Sequence, residues 1–225
     1  MHVLPGVHQN FFGAGVSPPV TLTYVSSNSS TTHTTTHTFA SQSIGAQQAG
    51  RYIVVAVYSP DMTNGSVTVG GASASKIVYN GFQSLWWVSY DNANTTADIV
   101  LNCTDTSERA GIIVWQMYNG GVINVVDTGT DSWSDSNYSA SATIDTEADG
   151  AAVAIASGFM YNSTTTFAPQ TGLVERAEFL VEYNISLPYY MWGADDTKTD
   201  GTSTSYGCDT SGQLQNGRFL VASFR

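Results

Sequence analysis

Apolar residues run without interruption from Ile53 to Val57, inside the stretch Arg51–Tyr58 (RYIVVAVY). A strand with one wet face alternates apolar and polar residues, whereas a run with no alternation predicts a strand covered on both faces. Similar runs return at Gly111–Tyr118 (GIIVWQMY), Gly150–Phe159 (GAAVAIASGF) and Gly217–Phe224 (GRFLVASF). These four are expected to be the central strands, with Val54, Val55, Val57, Ile113, Val114, Val153 and Ile155 in the core. Around them lie shorter strand patterns: Val20–Val25, Thr38–Ile44, Ser66–Val69, Ala74–Tyr79, Ser84–Tyr90, Ala97–Cys103, Val122–Val126, Tyr138–Ile144, Leu173–Val181, Tyr189–Ala194 and Thr202–Cys208. Asn64-Gly65 and Gly70-Gly71 punctuate them as turns. Asp127–Asn137 reads as an acidic loop carrying Trp133. No window holds a convincing helical period; Glu175–Tyr183 comes nearest, and Pro188 limits it. Strands at this spacing predict an all-β fold, an antiparallel, jelly-roll-like β-sandwich.

A spaced pattern links the two halves. Asp91 and Cys103 follow Trp87 by four and sixteen residues, and Asp196 and Cys208 follow Trp192 by the same intervals. The chain has only 2 Cys and 5 Trp. An internal duplication of a five-strand unit, spanning about 51–118 and 150–225, would produce this pattern; coincidence is the competing reading. On the first reading Trp87 and Trp192 plug the core between sheets, and Asp91 and Asp196 cap strand-end turns.

Residues 1–19 differ from the rest. Pro5, Gly6, Gly13, Gly15, Pro18 and Pro19 oppose regular structure, yet Leu4, Val7, Phe11 and Phe12 are apolar. The chain is therefore expected to be an extended N-terminal arm, 1–19, followed by one sandwich domain, 20–225. Leu4, Val7, Phe11 and Phe12 either tuck back on the domain or dock into a partner.

Composition narrows the function classes. The 225 residues carry 7 Lys and Arg against 18 Asp and Glu, a formal charge of −11. That balance repels nucleic acid and anionic membrane surfaces, so neither is expected as a partner. The start of the chain lacks a basic, apolar leader, and no apolar run reaches the length of a membrane span, so neither secretion nor insertion is expected. Two cysteines are too few for a disulfide framework; Cys103 and Cys208 are expected to be buried, as free thiols or, alternatively, paired with each other.

Candidate chemistry is sparse. All four histidines, His2, His8, His33 and His37, fall outside the expected core, which leaves a nucleophile without a base. His33 and His37 would share one face of a helix, but in an extended Thr-rich tract they lie roughly 13 Å apart at about 3.3 Å per residue. Asp127, Asp131 and Asp135 are the candidates for a hard cation, against the commoner role of turn aspartates. Asp196–Gly201 begins like a calcium loop, but Lys198 stands at a ligand position. Glu175, Glu178 and Glu182 are the carboxylates a glycosidase would use, with surface charge as the alternative. The expectation is a protein without enzymatic activity, cofactor or metal.

Several stretches together resemble virion structural proteins of tailed bacteriophages: Phe12–Gly15 (FGAG), Ser41–Gly45 (SQSIG), Arg51–Val57, Ser66–Gly71 (SVTVGG) and Val221–Arg225 (VASFR). The resemblance runs over most of residues 12–225. It implies a β-rich accessory protein of the capsid or tail, assembled in the host cytoplasm, oligomeric in the particle and bound to other virion proteins. It carries no catalytic residues over. A head decoration or tail- or fibre-associated protein attached through its arm is thus the expected function. The alternative is a carbohydrate-binding sandwich whose stacking platform would be Trp133, Tyr138, Tyr161, Tyr189 and Tyr190.

Overall fold

The computed structural model describes residues 18–60, 62–107, 109–133, 138–160, 166–183, 188–212 and 214–225. Every regular element among the described residues is a β-strand. The first half contributes β1 (Thr21–Ser30), β2 (Thr34–Ser43), β3 (Tyr52–Tyr58), β4 (Ser66–Val69), β5 (Ala72–Ser73), β6 (Ser75–Asn80), β7 (Gln83–Ser89), β8 (Thr96–Ser107) and β9 (Ala110–Tyr118). The second contributes β10 (Val125–Trp133), β11 (Ser139–Ile144), β12 (Ala151–Met160), β13 (Phe167–Gln170), β14 (Val174–Tyr183), β15 (Pro188–Asp196), β16 (Thr204–Thr210) and β17 (Leu214–Phe224).

Four antiparallel sheets form. In the first half β1-β9-β3-β7-β6 makes an inner sheet and β2-β8-β4-β5 an outer one. In the second half the inner sheet is β10-β17-β12-β15-β14 and the outer sheet β11-β16-β13. The sheets stack as outer, inner, inner, outer, with an apolar core in each of the three gaps. Each half is a jelly-roll-like sandwich, and the two sandwiches meet through their inner sheets.

This stacking accounts for the uninterrupted apolar runs. Ile53, Val55 and Val57 face the outer sheet of their own unit. Val54, Ala56 and Tyr58 face the seam between units. The same split divides Ala152, Ala154 and Ala156 from Ala151, Val153 and Ile155. A strand covered on both faces has no position left for a polar alternation. The seven residues expected in the core are all fully buried. Where the second unit presents small alanines, Trp192, Phe219, Tyr206 and Phe167 fill the gap to its outer sheet.

The strand order repeats. Replacing β1, β9, β3, β7 and β6 by β10, β17, β12, β15 and β14 converts one inner sheet into the other. β2, β8 and β4 correspond likewise to β11, β16 and β13. Two pairs of contacts across the seam correspond between the units: β1 lies against β14 while β6 lies against β10, and β9 meets β14 while β6 meets β17. The strand order is thus the same in β1–β9 and in β10–β17.

The spaced tryptophans do not mark equivalent positions. Trp87 packs into the seam, whereas Trp192 faces its own unit's outer sheet. Side chains alternate along a strand, so no even shift of register superposes the two. Cys103 and Cys208 do agree, each facing its own unit's internal core. Neither is part of a disulfide.

Candidate functional site

The charged side chains drawn inward are engaged in holding the fold. Arg51 is fully buried just ahead of the central run of β3. Its guanidinium donates to the carbonyls of Tyr90 (3.0 Å), Gly45 (3.1 Å), Ala46 (3.2 Å), Asn92 (2.7 Å) and Asn94 (3.0 Å). One side chain thereby fixes the loops on either side of the first unit's end. Burial lowers its pKa below the usual arginine value, but the five carbonyls satisfy the fork. Asp195, also fully buried, accepts a bidentate pair from Arg176 Nε and Nη2, both at 2.9 Å. Its Oδ2 also accepts from Trp115 Nε1 of the first unit at 2.8 Å. This is the polar clamp of the seam. The sequence signal for it is slight: an aspartate at the end of an otherwise apolar strand, YYMWGAD.

The acidic positions of the expected loop are structural as well. Residues 127–133 are not loop but strand β10. Asp127 Oδ2 accepts from the Asp145 amide at 2.9 Å, and Asp131 Oδ2 from the Ser141 amide at 2.9 Å. They tie the inner-sheet edge to β11. Asp135 lies outside the described residues. Asp196 accepts from Tyr206 Oη (2.9 Å) and the Lys198 amide (3.1 Å), and Asp200 from Thr202. Among the described residues no group of three His, Cys, Asp or Glu converges to hold a metal. His37 turns inward beside Ser30, with Nδ1 3.1 Å from its hydroxyl, while His33 is exposed. Glu175 accepts from Trp192 Nε1 at 3.1 Å and Glu178 from the Phe167 amide at 3.3 Å. The side chain of Glu182 lies outside the described residues.

The expected stacking platform does not assemble. Trp133 and Tyr189 are 2% and 0% exposed, so neither presents a ring face to a sugar. Trp133 ends β10 and packs in the second unit's core, and Tyr189 stacks on Tyr58 across the seam with centroids 4.1 Å apart. Burial holds the Tyr189 phenol well above its usual pKa. The periodicity of Leu173–Ala194 does not reveal that two sandwiches meet face to face, which is what buries Tyr189. Tyr138 is exposed and Tyr190 half-buried, and Tyr161 lies outside the described residues. So do Leu4, Val7, Phe11 and Phe12.

Two concavities occupy matching places, where the β4–β5 turn or the turn after β13 approaches the loop leading into β8 or β16. In the first unit Thr68, Gly70, Tyr90, Asn92, Asn94 and Asp98 surround a volume of about 450 Å³. In the second, Gly172, Asp196, Lys198, Asp200, Thr204 and Tyr206 surround about 180 Å³. Sequence reading missed both, because their residues are dispersed turn residues of ordinary type.

No protein-family model matches this chain, and no curated protein sequence matches it. Among solved structures, a conserved protein of unknown function from Pseudomonas aeruginosa PAO1 is similar over 91% of this chain and 80% of its own, at 9% identity and a TM-score of 0.30. A likeness of that degree carries no argument about function.

Proposed function

We propose that this protein is a non-enzymatic structural component of a tailed-phage virion, a head decoration or a tail- or fibre-associated protein, attached through its N-terminal residues. The observation that supports this reading is where the ionisable groups go. Arg51 and Asp195, both fully buried, are bound respectively to backbone carbonyls and to Trp115 and the partly exposed Arg176. What is turned outward is sheet faces and strand edges rich in hydroxyl and amide groups, the material of a body that offers surfaces. Paired jelly-roll-like units suit that role, since such sandwiches recur as particle building blocks.

The attachment segment starts from a firm point. Val20 is buried in the seam core and its amide donates to Asp149 O at 2.8 Å. Arg225 Nη1 donates to Pro18 O at 2.8 Å. Pro18 and Val20 thus stand at the junction of both units, and Phe11 and Phe12, earlier in the sequence, would supply the docking contact.

Particle fractionation tests the proposal. Full-length protein is expected to co-sediment with purified virions in fixed copy number. A variant lacking residues 1–17 is expected to keep its thermal midpoint and to vanish from particles. Recovery of the full-length protein only outside particles would overturn the reading.

A further inference from the structure

We propose that the concavity at the loop end of the first unit binds a neutral saccharide. This reading is independent of where the protein resides and uses none of the residues of the expected aromatic platform.

The volume, about 450 Å³, falls within the range of small-molecule pockets. Its lining mixes donors and acceptors as an array of sugar hydroxyls requires. Among the described residues, no internal hydrogen bond engages the hydroxyls of Thr68 and Thr96, the side chain of Asn94 or the Asn92 amide nitrogen. Asp98 gives one carboxylate oxygen to the Ser41 amide at 2.8 Å and keeps the other. The lining contains no Lys or Arg and one carboxylate, which disfavours anionic sugars, as does the overall charge of −11.

The site is held rigid from beneath. Arg51 grips the carbonyls of Tyr90, Asn92 and Asn94, so the loop carrying the two asparagines is fixed before any ligand arrives. Such preorganisation spares the ordering cost of binding. Gly70 and Gly71, at φ 55° and 83°, complete the other wall. A Cβ on Gly70 would meet Tyr90 Oη at 2.1 Å, whereas nothing stands within 4 Å of one on Gly71. The turn therefore lets the tyrosine hydroxyl come up against the wall and leaves open space beside it.

The second unit provides an internal comparison. The matching elements there enclose only about 180 Å³, and Asp196 is occupied by Tyr206 and the Lys198 amide. The same architecture thus gives a smaller concavity in the other unit, with the Asp196 carboxylate already engaged.

The test is titration of the ¹⁵N-labelled full chain with glucose, galactose, mannose and N-acetylglucosamine, followed through backbone amide shifts. At least one sugar is expected to give saturable shifts confined to Gly70, Gly71, Asn92, Asn94, Thr96 and their neighbours. Thr68→Ala/Asn94→Ala is expected to weaken that binding about tenfold, through loss of two hydrogen bonds. Asn94→Ala alone should give part of the loss, and its otherwise unchanged amide spectrum shows that the fold persists. Absence of saturable shifts with all four sugars, shifts centred elsewhere, or full affinity in the double variant overturns the proposal. Shifts of the same amides by calcium chloride alone would mark a cation site and overturn it equally.

Discussion

Asp195 shows how much one side chain can carry. It is the acceptor for Trp115 of one unit and Arg176 of the other, and both it and the indole are fully buried. Asp195→Ala leaves the buried Trp115 N–H unpaired, at a cost of about 2–3 kcal/mol. In a chain of 225 residues that lowers Tm by roughly 4–12 °C. Asp195→Asn keeps an acceptor for Trp115, so its loss should be clearly smaller; equal losses in calorimetry would show that the indole bond contributes nothing. Glu178 makes the opposite case. Burial, above all, raises its pKa over the ordinary 4.5, with the nearby Glu175 adding to it and the Phe167 amide opposing it. A folded value above the unfolded one means that its stabilising contribution is complete at pH 4 and below and is lost as pH rises through the folded value. Glu178→Gln should therefore raise Tm at pH 7 and leave it unchanged near pH 4. An identical shift at both pH values would contradict the assignment. Such roles are hard to read from sequence. Arg51 announces itself as the lone cation before an apolar run, but its five carbonyl partners come from loops up to 43 residues away.

At the scale of elements, the periodicity of the chain located the central strands because double burial leaves an unmistakable run of apolar residues. It misplaced β10. Val125–Trp133 (VVDTGTDSW) carries aspartates at turn-like spacing, and only the pairing of Asp131 with an amide of β11 and of Asp127 with the amide just after β11 explains them in a strand. It also overlooked β13, whose Phe167-Ala-Pro-Gln170 is short and contains a proline suited to a sheet edge. The close approach of the inner sheets was likewise invisible, since it depends on small residues whose partners lie in the other unit. Gly193 in β15 is one: a Cβ there would stand 2.6 Å from Ile113 Cδ1 and 3.0 Å from the Trp115 ring. Gly193→Ala should overpack the seam and cost about 1–3 kcal/mol, seen as a lower denaturation midpoint. The companion change Ile113→Val, which frees that methyl position, should recover part of it. No recovery would place the strain elsewhere. The cysteines belong to this scale too, because each sits inside one sandwich. Cys208 is fully buried and its thiol pKa is pushed far up by desolvation, whereas Cys103 is half-buried beside Ser59 and Met62. Native protein should give Cys103 to a thiol reagent first and Cys208 only on unfolding, with two thiols per chain after denaturation without reductant. Fewer than two would mean a disulfide.

On the scale of the whole molecule, the seam decides whether there are two domains or one. Val54, Ile113, Trp115, Val153, Ile155, Tyr189, Met191, Leu220 and Phe224 all bury there. At about 1.5–3 kcal/mol per large side chain, the seam is worth on the order of 15–25 kcal/mol before entropic costs. Neither sandwich alone can replace that cover, since its inner sheet would face water along its length. The two units should consequently unfold in a single transition. Expressed separately, residues 18–121 and 122–225 should be insoluble or self-associated, because the corresponding contacts of the two inner sheets let each be met by a second copy of itself. Expressed together, the halves should recover a soluble one-to-one complex with the seam intact. The terminal Asn124 and Arg225 backbones, paired at 2.7 and 2.9 Å, help hold the second half's ends. Native mass spectrometry of the co-expressed halves, with calorimetry of the full chain, tests this. A one-to-one complex and one sharp transition are expected. Either half appearing as a soluble monomer with its own cooperative melt would mean that the sandwiches are independent domains and that the seam joins them without stabilising either.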